Sequence, residues 1–90
     1  MDRHLAYAAI AAWLDRFRSR PFEVLEREVG TAMNDRVRVA SGEEFLLEAR
    51  VEWADARRDR LRISVTADGP GCFNLERLEE RTVVKRPRGD

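Results

Sequence analysis

The chain has 90 residues, 43% of them hydrophobic, enough for one domain with a single core, expected over residues 1–86 with a frayed tail at 87–90. Seventeen basic residues cancel seventeen acidic ones, so composition exerts no global pull toward nucleic acid or anionic lipid. The single cysteine, Cys72, excludes an intramolecular disulfide and a cysteine-built zinc site within one chain, and it points to a reducing cytoplasm.

From Leu5 to Phe17 the large residues Ile10, Trp13, Leu14 and Phe17 recur every three or four positions, with alanines between them. That period predicts a helix, apolar on more than one side because polar residues begin only at Asp15 and Arg16. The apolar run from Leu5 to Leu14 is too short to span a bilayer, and its flanking acids do not fit a secretion signal. Pro21 removes a backbone donor and suits the first turn of a new helix, so the helix is expected to kink or split there. Phe22, Leu25 and Val29 mark the face of the following segment, with Gly30 as its stop.

After Asn34-Asp35, read as a turn-prone pair, the period falls from 3.6 to 2. Val37 and Val39 alternate with Arg36 and Arg38 in a first strand. The second strand alternates most clearly, with Phe45, Leu47, Ala49, Val51 and Trp53 on one face and Leu46, Glu48, Arg50 and Glu52 on the other. A charged connection, Ala54 to Asp59, leads to a third strand in which Leu61, Ile63, Val65 and Ala67 point one way. Pairing Val51 with Ile63 sets Glu52 opposite Arg62 and Glu48 opposite Thr66. Asp68-Gly69-Pro70-Gly71 reads as a turn into a fourth strand, with Val65 opposite Phe73 and Arg62 beside Glu76. Leu78 falls out of phase and Val83 and Val84 are adjacent, so a bulge or helical turn is expected between Glu76 and Arg81. The fold class is therefore α+β, an N-terminal helix packed on a four-stranded antiparallel meander.

No catalytic, cofactor or metal site is expected. His4 is the only histidine, close to the start of the chain, and no residue at catalytic spacing accompanies it in the sequence. Ser19, Ser41 and Ser64 lie in no nucleophile elbow. Cys72 has no CxxC partner and reads as a small strand residue. The carboxylates Glu23, Glu26, Glu28, Glu43 and Glu44 lack the register of a calcium loop and read as solvated faces.

Arginines cluster at Arg16, Arg18 and Arg20, and again at Arg57, Arg58, Arg60 and Arg62, while Lys85, Arg86 and Arg88 close the chain. Of these, Arg57, Arg58, Arg60, Lys85 and Arg86 are the candidate contacts to a nucleic acid, although acids adjoin the arginine clusters and no aromatic platform is interleaved. The segment from Pro21 to Ala56 holds nine acids against four arginines, an asymmetry that favours docking on a charged protein surface or another copy of the chain. Leu5, Tyr7, Trp13 and Leu46 are large apolar residues that one helix on one sheet face does not obviously cover, and they form the candidate dimer interface. The Ala-rich and Arg-rich composition suits a GC-rich bacterial genome. The expected function is a small, cytoplasmic, non-enzymatic protein-interaction module that forms a homodimer without a membrane or cofactor. The alternative is a nucleic-acid-binding accessory protein.

Overall fold

In the computed structural model, which describes residues 3–38, 42, 44–69 and 77–87, two helices precede four strands. They are α1 (Arg3–Arg18), α2 (Phe22–Arg27), β1 (Ala32–Arg38), β2 (Glu44–Trp53), β3 (Arg60–Asp68) and β4 (Arg77–Lys85). The strands form one antiparallel sheet in the order β1-β2-β3-β4. Among the described residues no helix is long and apolar enough to cross a membrane.

Pro21 splits the helical region. α1 ends at Arg18, and Pro21, with φ of −56°, stands immediately before α2, where its missing N–H costs no intrahelical bond. The chain leaves α2 through Gly30, whose φ of +84° favours a residue without Cβ. Its N–H donates to the Val51 carbonyl across 3.1 Å, bringing the chain alongside β2.

The period-two pattern of β2 and β3 builds the core. Val51 lies opposite Ile63, Glu52 opposite Arg62 and Glu48 opposite Thr66, as the alternation requires. Phe45, Leu47, Ala49 and Val51 of β2 are buried together with Leu61, Ile63, Val65 and Ala67 of β3. α1 lies over β3 and β4 and only grazes β2, contributing buried Ala6, Ile10 and Phe17, with Leu14 partly buried beside them. α2 adds buried Phe22 and Leu25, and Phe22 meets Trp53 with ring centroids 6.2 Å apart. Each large side chain withdrawn from water in this layer contributes roughly 1.5–3 kcal/mol. No polar or charged side chain is buried among the described residues.

Three expectations are corrected. Asn34 and Asp35 do not form a turn but lie inside β1, opposite Glu48 and Leu47. An edge strand bonds its neighbour on one side only and leaves polar side chains in water, so it tolerates residues that usually mark turns. No bulge or helical turn interrupts residues 77–81, because β4 is a regular strand from Arg77 to Lys85. Its register places Val65 opposite Glu80 and Arg62 opposite Val83, which displaces Phe73 and Glu76 from those pairings. Leu78 and Val84 share the core-facing row with Ala67 and Leu61, and Val83 faces the other way. The two adjacent valines are thus ordinary alternation. Val39, Ser41, Glu43, Pro70 and Gly71 of the expected turn, Cys72, Phe73, Leu75, Glu76 and Arg88 lie outside the described residues.

Candidate interaction surface

With both helices on one side of the sheet, the other face has no covering layer among the described residues. Alternation and register order its side chains into rows that cross the strands. One row is acidic: Asn34, Glu48, Thr66 and Glu79. The next is basic: Ala32, Arg50, Ser64 and Arg81. Beyond the acidic row come Arg36, Leu46, Asp68 and Arg77, and beyond the basic row Glu52, Arg62 and Val83, then Arg60 and Lys85. Rows on one strand face are roughly 7 Å apart, because side chains repeat every second residue.

The ion pairs on this face run mostly along strands. Arg50 Nε lies 2.6 Å from Glu48 Oε1 and Arg81 Nε 2.9 Å from Glu79 Oε1. Arg77 reaches across to Asp68 with two hydrogen bonds, of 2.8 and 3.3 Å. The hydrogen bonding to Asp68 and the Asp68 charge raise the Arg77 guanidinium above its ordinary value. The paired guanidinium groups are still well exposed, Arg50 at 58% and Arg81 at 61%. Such exposed pairs stabilise the fold little, typically below about 1 kcal/mol each, and keep donors available to a partner. The side chains enclose a depression of about 370 Å³ over β2, β3 and β4.

The second and third basic clusters meet, because antiparallel pairing sets Arg60 opposite Lys85. Arg57, Arg58, Arg60, Lys85 and Arg86 accordingly share one end of the sheet. They do not act alike. Arg86 is a clasp: its backbone N–H donates to the Asp59 carbonyl at 2.7 Å and its Nη2 to the Arg58 carbonyl at 2.8 Å. The same guanidinium lies 3.3 Å from Glu26 and over the rings of Phe22 and Trp53, 4.6 and 5.9 Å from their centroids. Arg58 caps Trp53 from 5.8 Å. Among the described residues the side chains of Arg57, Arg60 and Lys85 meet no hydrogen-bond or ion-pair partner and remain available. The cluster at Arg16, Arg18 and Arg20 stays apart, with Arg18 held by Asp15 at 2.9 Å and Arg20 by Glu28 at 3.1 Å.

Of the four apolar residues expected at an interface, Leu5 and Trp13 pack against the core, and Trp13 also meets Phe17 edge-on with centroids 5.9 Å apart. Tyr7 is 41% exposed on α1, and Leu46 is 52% exposed on the uncovered sheet face. The structure therefore does not gather the four into one patch. The alternation of Glu48, Arg50 and Glu52 foreshadows part of the charged rows, whereas Glu79 and Arg81 become visible only with the register of β4.

No protein-family model matches the chain, and no curated protein or solved structure matches it significantly.

Proposed function

We propose that the chain is a small, non-enzymatic, cytoplasmic protein-interaction module of bacterial type whose working surface is the uncovered face of its sheet. The observation that carries this reading is the ordered acidic and basic rows on a face that no element of the described fold covers. Charges in alternating rows give a docking surface register and specificity more than raw affinity. The apolar interior of the described residues also supports it, since catalytic groups commonly depend on buried, perturbed polar residues.

The test is site-specific photo-cross-linking in the native cell. A cross-linking residue in place of Ser64, at the centre of the uncovered face, is expected to capture a protein, whereas one in place of Tyr7 on α1 captures none. Adducts formed only from position 7 would overturn the reading.

The convergence of Arg57, Arg60 and Lys85 favours a second reading, contact with a nucleic acid through the phosphate backbone. Against it stand Asp55 and Asp59 in the same loop and a Trp53 ring already capped by Arg58 and Arg86, which occupies the stacking platform nearest the cluster. A salt-dependent gel shift lost in an Arg57→Ala/Arg60→Ala/Lys85→Ala variant would establish this second reading in place of the first.

A further inference from the structure

We propose that the partner of the uncovered face is a second copy of this chain, packed face to face about a two-fold axis crossing the strands between the acidic and basic rows. This rests on the reading of that face as the docking surface and names its occupant. The argument is geometric. A two-fold axis in the plane between two stacked sheets, directed across the strands, keeps each strand over its own equivalent and reverses the order of the rows.

Placed between the Glu48–Thr66–Glu79 row and the Arg50–Ser64–Arg81 row, the axis sets each row over the other. Glu48 then faces Arg50 of the other copy, Glu79 faces Arg81 and Thr66 faces Ser64. One row further out, Arg62 faces Asp68 on β3. Every such contact occurs twice, as an isologous interface requires. Each carboxylate bridges its own arginine and that of the other copy, turning isolated exposed pairs into a network.

Other registers are poorer. An axis along the strands sets Arg36 over Arg77 and leaves Glu48 facing Thr66 and Arg50 facing Ser64. A slip of half a row spacing lays either the acidic row or the basic row on its own equivalent, setting acid on acid or base on base, which is unfavourable.

Four strands about 4.8 Å apart and four rows roughly 7 Å apart give a contact of roughly 500 Å² per copy. That area lies at the lower end of specific interfaces and fits a weak, reversible, salt-sensitive dimer.

The test uses two single charge reversals, Glu48→Arg and Arg50→Glu, both on exposed positions where the fold, monitored by circular dichroism, is expected to stay intact. Sedimentation equilibrium at ~300 μM protein and low salt should show the parent chain as a dimer and each single variant as a monomer. Mixed one to one, the two variants should form a heterodimer, because one then carries arginine at both positions 48 and 50 and the other carries glutamate at both. The double variant, with the two charges exchanged, should dimerise again. In ~500 mM salt all species should become monomeric.

An unchanged dimer in both single variants would overturn the proposal, as would a monomeric mixture. The cross-linking adduct separates the two levels of the argument. A Ser64 adduct of twice the chain's mass supports self-pairing, and one of any other mass refutes it while sparing the docking surface. Adducts from position 7 alone refute both.

Discussion

Arg50 Nε donates to Glu48 Oε1 across 2.6 Å, two positions along the same face of β2, and on β4 Arg81 bonds Glu79 in the same way at 2.9 Å. Neither pair spans two strands, so neither holds the sheet together. What these pairs do is lay an acidic row beside a basic one on a face without a covering layer in the described fold.

The two faces differ sharply in what a substitution costs. Ile63 is fully buried between β2 and β4, so Ile63→Ala is expected to destabilise the chain by roughly 2–4 kcal/mol in urea unfolding. Glu48→Ala, on the opposite face, should cost under about 1 kcal/mol. Equal losses would mean that the strand faces are exchanged, because a slip of one residue inverts them.

Arg86 joins β4, the 54–59 loop and α2 through its contacts with Asp59, Arg58, Glu26 and Phe22. Arg86→Ala should lower stability by about 1–2 kcal/mol, and Arg86→Lys should recover only part of that, since an ammonium offers neither the planar fork nor the stacking surface. Arg60→Ala and Lys85→Ala, which remove no side-chain hydrogen bond or ion pair among the described residues, should leave the urea midpoint nearly unchanged. A midpoint as low for Lys85→Ala as for Arg86→Ala would contradict the clasp.

Each edge strand carries one acid in the middle of its core-facing row, Asp35 on β1 beside Leu47 and Glu80 on β4 beside Val65, and both residues are exposed. Inward-pointing charges of this kind discourage edge-to-edge pairing. Asp35→Val and Glu80→Val should therefore promote growing assemblies, seen as concentration-dependent light scattering with thioflavin binding. Scattering no greater than that of the parent would show that the edges are protected by something else.

These same acids explain how much of the fold the sequence discloses. β2 and β3 are legible because both are central strands, and Phe45, Val51, Ile63 and Val65 must all face the core, which also sets Glu52 against Arg62. On the edge strands the period of two is broken by Asp35 and Glu80 on the inner row and by Val83 on the outer one. β1 consequently reads too short and β4 as irregular. Half of the charged surface, Glu48 and Arg50 with Arg62 and Thr66, can be read from alternation. Arg81 and Glu79 cannot be added without the register of β4. The meeting of Arg60 with Lys85 spans residues distant in sequence, and only strand pairing reveals it. Trp13 reads as surplus because α2 and the path of α1 over the sheet are tertiary facts.

The most direct test of the uncovered face as the surface of self-pairing is a dilution series of amide resonances at low salt, from ~500 to ~20 μM, which brackets a weak association. The expected result is a set of concentration-dependent shifts centred on Glu48, Arg50, Ser64, Thr66, Glu79 and Arg81, abolished by salt. Shifts confined to Tyr7 and its neighbours on α1, or none at any concentration, would contradict it.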